Sequence, residues 1–246
     1  MPIIVGIDGT DDSWLFTDAR AKSYDEAFAN SFVRKIAQGK PNGLYLRGPV
    51  SDGRGLYVAI SNAVSFIQAH KNSLPNEPVL LTGYSRGALG VVVVAKRLKA
   101  LNLQVKALMM FDCVDRDSTF DAATIPDNVE NVCHVIRDPA GKSRRTFGND
   151  GLHYHPRSTK YDPIRKFMCT HGGMGGVPWV CPPGGNRNDY IDEGALEGFA
   201  MTGSMIASHF YHTNITYAQD EAVSRTVWTH VMPFLAAQGF SFPTST

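Results

Sequence analysis

A chain of 246 residues, 43% hydrophobic and 19% charged, can bury one sizeable core and is too apolar to be a disordered or heavily solvated segment. A formal net charge of +1 leaves no electrostatic footprint for nucleic acid. No run approaches the length of about 18 apolar residues that a membrane-spanning helix needs.

The opening MPIIVGIDGTDD has neither a basic n-region nor a long apolar h-region, so no cleaved leader is expected. The expected location is cytoplasmic, or outside the cell by a route that uses no cleaved signal. The four cysteines, Cys113, Cys133, Cys169 and Cys181, lack C-x-x-C spacing, and three lie in apolar runs. That is the pattern of buried free thiols rather than of disulfides or metal ligands. No repeat, low-complexity tract or linker divides the chain, and a single domain over residues 1–246 is expected.

In chain order, Ile3 to Ile7 is a short β-branched run that enters the polar turn Asp8-Gly9-Thr10-Asp11-Asp12, as a buried strand would. Ser23-Tyr24-Asp25-Glu26 has the form of a capping box. The helix it would open carries Phe28, Phe32 and Ile36 at helical spacing and is stopped by Gly39 and Pro41. Gly43 to Arg47 predicts a second strand. The loop Gly48 to Gly55 is glycine-rich but lacks the Lys-Ser/Thr pair of a phosphate loop. Leu56, Ile60, Ala63, Val64 and Ile67 then mark one helix face.

Pro78 to Ala100, PVLLTGYSRGALGVVVVAKRLKA, organises the rest. An apolar burst from Val79 to Leu81 enters Gly83-Tyr84-Ser85-Arg86-Gly87, and a helix-compatible run leaves it. In that strand, turn and helix context G-x-S-x-G has mechanical meaning: the serine sits on a sharp turn with its hydroxyl at the carboxyl edge of a sheet. A side chain at position 83 or 87 would crowd the turn. Further strands are expected over Val105 to Phe111, ending at Asp112, over Asn131 to Ile136, ending near Asp138, and over Lys166 to Thr170, ending at His171. Short apolar runs between helical segments imply an α/β fold with a mostly parallel sheet covered on both faces. Residues 139–161, rich in Gly, Arg, Lys, His and Pro, read as a loop excursion near the mouth of a site. Gly194 to Tyr211 and Asp220 to Ala237 read as C-terminal helices within 194–238, the last kinked or ended by Pro233.

A serine hydroxyl is a poor nucleophile at neutral pH. It needs a base within hydrogen-bond reach and a third group that holds the base in the right tautomer. In α/β-hydrolases these partners follow in the order serine, acid, histidine, at the ends of strands. Of the eight histidines, His171 follows a strand-like run and opens the loop Gly172-Gly173-Met174-Gly175-Gly176, and is the expected base. His134 lies inside a strand and reads as an interior histidine. His209, His212 and His230 read as surface or packing residues on helices, and His153 and His155 lie in the irregular loop. Asp112 and Asp138 compete for the acid, and spacing does not choose between them. Asp115, Asp117 and Asp121 fall further into a polar loop. The oxyanion of an acyl-transfer step needs backbone N–H donors. The Arg86 amide is one, and the turn Gly9-Thr10 after the first strand is the best placed source of the second.

Several segments together resemble one family, the serine lipases and phospholipases that include type VI secretion lipase effectors, marked by GFSRGA at the nucleophile. Here that motif reads Gly83-Tyr84-Ser85-Arg86-Gly87-Ala88, and the family's DGT resembles Asp8-Gly9-Thr10. Its glycine-rich segment resembles Gly48 to Gly55, and its W-D-T-V stretch resembles Phe111-Asp112-Cys113-Val114. Its H-A-L-A-L-D-E-R segment is similar to His134-Val135-Ile136-Arg137-Asp138, and H-S-D-V-G-G is similar to His171 to Gly176, with Gly173 in place of aspartate. The resemblance covers residues 8–176 and implies an α/β-hydrolase fold with a triad of Ser85, Asp112 and His171, Asp138 being the alternative acid.

It further implies a carboxylic-ester hydrolase acting on acyl lipids, with no metal or organic cofactor, an immunity or secretion partner for an effector, and contact with a membrane surface. Arg144, Arg145, Arg157, Lys160, Arg165 and Lys166 place positive charge before His171 that could meet lipid phosphate, although a solvated basic loop is the commoner explanation because exposed Lys and Arg are the norm. A short-chain esterase or thioesterase would use the same triad, and a hydrolase-fold binding protein would have the fold without the chemistry.

Overall fold

The computed structural model describes residues 1–11, 18–50, 53–114, 120, 122–144, 147, 153–154, 159–160, 165–196 and 209–242. Strand β1 (Ile3–Ile7) is buried along its whole length because both faces are covered. Helices α1 (Asp18–Ala27) and α2 (Phe32–Ala37) follow, then β2 (Gly43–Leu46), α3 (Leu56–Ser73), β3 (Val79–Tyr84), α4 (Arg86–Ala100) and β4 (Val105–Phe111). The chain continues with β5 (Thr124–Ile125), β6 (Val129–Arg137), a 3₁₀ turn at Pro139–Gly141, β7 (His153–Tyr154), β8 (Thr159–Lys160) and β9 (Arg165–Phe167). The last elements are α5 (His171–Met174), β10 (Tyr190–Leu196), β11 (His209–Thr216) and α6 (Tyr217–Ala237).

Among the described residues, seven strands form one parallel sheet in the order β2-β1-β3-β4-β6, with β8 and β9 both pairing to β6. Alternate residues of each central strand feed opposite halves of the core. Ile3, Val5 and Ile7 of β1 join Val79 and Leu81 of β3 under α3 and α4. Ile4 and Leu80 face the other way, into a cluster with Phe32, Val33, Trp228 and Phe234 of α2 and α6. Burying each such aliphatic side chain contributes about 1.5–3 kcal/mol, which explains why these strands read as unbroken apolar runs. The architecture is α/β-hydrolase-like, with helices on both faces of a parallel sheet. No helix among the described residues is long and apolar enough to cross a membrane.

The strand order reverses between β1 and β3. The chain passes to β2 on one side and to β4 and β6 on the other. At such a switch point the loops leaving the two adjacent strands diverge and open a crevice at the sheet's carboxyl edge. Here those loops are Asp8 to Thr10 and the turn at Ser85.

Four local expectations are corrected. Ser23 lies inside α1 rather than capping a helix. The helix expected to carry Phe28, Phe32 and Ile36 breaks before Ser31, whose hydroxyl accepts from Arg34 N at 3.0 Å and caps α2. Of the helix expected over Gly194 to Tyr211, residues 194–196 lie in β10 and residues 209–211 in β11, which pair antiparallel, while residues 197–208 lie outside the described residues. The alternation of buried Thr213 and Ile215 with exposed His212 and Asn214 has the strand period of two, and the β-branched and aromatic residues of HFYHTNIT suit it. Finally, α6 continues past Pro233 to Ala237.

Glycine is required at the turn for a steric reason. A Cβ on Gly87 would overlap the carbonyl oxygens of Ile7 and Asp8, so α4 can approach β1 only without a side chain there. Gly184, by contrast, has φ of 77° and nothing within 4 Å of a built Cβ. We expect Gly87→Ala to cost about 3 kcal/mol or more, because backbone cannot yield as a side chain does. Gly184→Ala should cost only about 1–2 kcal/mol of left-handed strain. Urea unfolding midpoints of the two variants check the ordering.

Candidate active site

Ser85 sits between β3 and α4 with φ 55° and ψ −128°, a conformation that non-glycine residues adopt only where the surroundings enforce it. Its backbone is held on both sides: Ser85 N donates to Phe111 O at 3.0 Å, and Ser85 O accepts from Ala88 N at 3.1 Å and Val114 N at 3.2 Å. The hydroxyl stands at the positive end of the α4 dipole.

Asp112 closes β4 with φ 44°, and its main-chain N–H donates to Val135 O of the next strand at 2.8 Å. Beyond this positive-φ residue's main chain, its carboxylate meets the imidazole of His171. His171 opens α5 under a cap from Thr170, whose hydroxyl accepts from Gly173 N at 3.0 Å. His171 Nδ1 lies 2.6 Å from Asp112 Oδ2, and Nε2 lies 2.9 Å from Ser85 Oγ. Since an ionised carboxylate only accepts, Nδ1 carries the proton, which leaves Nε2 as the acceptor for the serine hydroxyl.

The imidazole is gripped at its main chain. His171 N donates to Ser143 Oγ at 2.8 Å, and His171 O accepts from the Tyr84 hydroxyl at 2.9 Å. Tyr84 also lies against the imidazole face, and Phe147 meets it edge-on with centroids 5.1 Å apart. From α6, Asp220 accepts from Thr170 N and Thr170 Oγ1 at 2.7 and 2.8 Å, while Ser224 donates to Gly173 O at 2.7 Å. A Cβ at Gly173 would overlap the Asp220 carboxylate, which accounts for glycine at that position.

Burial lowers the pKa of the His171 imidazole. The hydrogen bond and charge of Asp112 oppose that shift, and the charges of Arg137 and Arg144 add to it. Burial by itself would raise the Asp112 carboxyl. The hydrogen bond and charge of His171 and the charge and hydrogen bond of Arg137 outweigh that and hold it below its usual value.

The loop after β1 is equally constrained. Asp8 is fully buried and accepts from Gly9 N at 2.9 Å, from the Tyr45 hydroxyl at 3.0 Å and from Ser31 Oγ. Burial pushes its carboxyl up to about 6. The Tyr24 hydroxyl donates to Gly9 O and accepts from Gly48 N, both at 2.8 Å, tying this loop to the glycine-rich segment. Because Gly9 spends its amide on Asp8, the expected oxyanion donors narrow to the Thr10 and Arg86 amides. Thr10 Oγ1 is buried without a hydrogen-bond partner among the described residues. Arg86 opens α4, and its guanidinium donates to Val50 O at 3.2 Å.

Asp138 lies apart from this group, its carboxylate accepting from Ala140 N at 2.9 Å to cap the 3₁₀ turn. His134 is buried, accepts from Cys113 N at 3.3 Å, and is held neutral by burial, which lowers its pKa to about 4. His209 and His212 lie on β11 rather than on a helix. Of the basic residues, Arg144 turns inward to Glu193, its Nε 3.7 Å from Oε2, while Arg165 and Lys166 are exposed. Arg145, His155, Arg157, Asp115, Asp117 and Asp121 lie outside the described residues. None of the four cysteines is in a disulfide, and Cys113, Cys133 and Cys169 are buried.

Sequence reasoning passed over Tyr24, Tyr84, Arg137, Ser143, Glu193 and Asp220. Tyr24, Tyr84, Arg137 and Asp220 are visible in the sequence only as members of a capping pattern, the serine turn, a family-like segment and a helix start, with no role at the site. The others act through folds of the chain that no local pattern records.

No family model matches this chain, and no curated protein matches it. Among solved structures it is similar to a chain assigned as a cell surface hydrolase in Lactobacillus plantarum WCFS1, at 12% identity and TM-score 0.41, covering 74% of this chain and 86% of that one. It is similar to the NocB thioesterase domain at 14% identity and TM-score 0.40, covering 71% and 87%. A third likeness is to the RedJ thioesterase of Streptomyces coelicolor, at 13% identity and TM-score 0.38, covering 72% and 85%.

Proposed function

We propose that the protein is a serine carboxylic-ester hydrolase acting on acyl lipids, phospholipids included. The observation that carries this reading is the unbroken hydrogen-bonded line Asp112, His171, Ser85 at the switch point of a parallel sheet, with the nucleophile on a positive-φ turn. In this mechanism Ser85 Oγ attacks the acyl carbonyl carbon while its proton passes to His171 Nε2. The carbonyl π electrons move onto oxygen, where the Thr10 and Arg86 amides meet the charge. An oxyanion donor of this kind is worth roughly 3 kcal/mol. Asp112 keeps Nδ1–H oriented and balances the imidazolium. That imidazolium then protonates the departing alcohol, leaving an acyl-enzyme. Water, deprotonated by the same imidazole, releases the acid and restores Ser85.

The acyl-lipid substrate rests on the ordered motifs around Ser85, Asp112 and His171, and Phe147 gives the base an apolar flank. On this reading a membrane surface is the partner and, for an exported effector, an immunity or secretion protein. A chain-length series of nitrophenyl esters, run beside a phospholipid release assay, tests it. Hydrolysis of long-chain esters and of phospholipid is expected. Activity confined to acetate and butyrate would replace the lipid substrate with a short-chain one, and preference for acyl thioesters would make the protein a thioesterase.

A further inference from the structure

The carboxylate of the hydrogen-bonded line is shared with a second cation. Arg137, at the end of β6, has a side chain only 5% exposed, and its Nη1 lies 2.5 Å from Asp112 Oδ2, the same oxygen that receives the imidazole N–H. Its main-chain N–H reaches the other oxygen, Asp112 Oδ1, at 3.3 Å. The other two guanidinium nitrogens donate as well: Nε to Ser143 O at 3.0 Å and Nη2 to Arg144 O at 3.1 Å. That short loop is anchored to β10 by Glu193, which accepts from Ser143 Oγ at 2.7 Å and Arg144 N at 2.8 Å. Ser143 Oγ in turn accepts the main-chain N–H of His171. Asp112, Arg137, Ser143, Glu193 and His171 therefore form one closed network.

Serine, histidine and aspartate need no such guanidinium for their chemistry, and burying one is costly unless it is well paired, as here, where each of its three nitrogens donates to an oxygen. Nη1 of Arg137 also lies 3.4 Å from His171 Nδ1. Arginine has no acceptor, and Nδ1 already carries a proton, so this approach is a fixed positive charge beside the ring and not a hydrogen bond. That charge opposes formation of the imidazolium. Among the described residues, the other titratable and charged groups around the ring are Asp112 from β4, the neutral His134 from β6, Arg144 after the 3₁₀ turn, Glu193 from β10, Asp220 from α6 and Tyr84 from β3. Glu193 is matched by Arg144, which leaves Arg137 as the cation that divides the charge of Asp112.

We propose that Arg137 is a positioning residue that locks the acid in line with the base and, by its charge, extends turnover toward acid pH. This rests on the ester-hydrolase reading for its kinetic consequence but not for its electrostatics. The acid limb of the kcat/KM profile reports the base in the free enzyme. Removing the cation lets Asp112 act on the imidazole undivided, which favours the protonated ring and moves the limb to higher pH.

The test is the pH profile of ester hydrolysis by the wild type, Arg137→Gln and Arg137→Lys. In Arg137→Gln the loss of kcat/KM should be roughly tenfold larger at about pH 5.5 than at about pH 9, while Arg137→Lys, which keeps the charge, should retain the wild-type limb even if slower. A uniform loss at all pH values in Arg137→Gln, with an unmoved limb, overturns the proposal and leaves a purely structural arginine. Should Arg137→Gln fail to fold, NMR titration of the His171 ring in the wild type, assigned by its absence in His171→Gln, decides. A ring titrating at or above the ordinary imidazole range overturns the proposal; one titrating below it supports the proposal if its pKa rises in Arg137→Met, which fills the space without the charge, and overturns it if the pKa does not move. That titration reads the ring in a protein with no esterase activity too, so failure of the ester-hydrolase reading is seen separately.

Discussion

Ser85→Ala is expected to abolish both ester hydrolysis and covalent labelling by a fluorophosphonate probe, with kcat falling about 10⁴- to 10⁶-fold. The reason lies in the position of the hydroxyl rather than in its type. Ser85 Oγ is 2.9 Å from the one imidazole nitrogen with a free lone pair, and its main chain is held at positive φ by bonds to Phe111, Ala88 and Val114. Those bonds involve only backbone, so the alanine variant keeps them and should unfold near the wild-type midpoint. Loss of activity without loss of stability separates a nucleophile from a structural serine. A wild type that neither labels nor turns over esters would make this a hydrolase-fold binding protein.

Asp112→Asn should lower kcat about 10⁴-fold, whereas Asp138→Asn should leave it within about twofold of the wild type. The amide of an asparagine can present N–H where the carboxylate accepted, which favours the wrong imidazole tautomer and turns Nε2 into a donor facing Ser85. The same change withdraws the counter-charge from Arg137, buried beside it, so Asp112→Asn should also be destabilised by about 3 kcal/mol or more. Asp138 caps a 3₁₀ turn near the surface, and asparagine caps nearly as well. Steady-state kinetics with urea midpoints measured on both variants give the comparison. Loss of turnover in Asp138→Asn alone, with both proteins folded, would overturn the assignment of Asp112.

What could be read along the chain follows the range over which each signal acts. The strand, turn and helix about Ser85 are legible because their causes are local: an apolar run buried on both faces, glycines where α4 crosses β1, and a helix-forming run behind them. The same holds for β4 ending at Asp112, whereas the segment after His171, which reads as a glycine-rich loop, opens as the short helix α5 under the Thr170 cap. Helical spacing misled where a short amphipathic segment also fits a strand, as in HFYHTNIT, whose pairing with β10 supplies the deciding hydrogen bonds. Ser23 and Glu26 match a capping pattern, yet it is Ser31, bonded both to Arg34 N and to the buried Asp8, that starts a helix.

The residues in one dimension settle a parallel α/β sheet, the serine turn and a short set of candidate partners, since burial, turn sterics and capping act over a few neighbours. The tertiary structure alone decides which carboxylate meets the imidazole. It also places a buried arginine on that same carboxylate and brings Glu193 and Asp220, far along the chain, to brace the base. Those contacts join residues 25 to 59 positions apart in sequence. Their energy depends on the exclusion of water, and only the closed fold provides that.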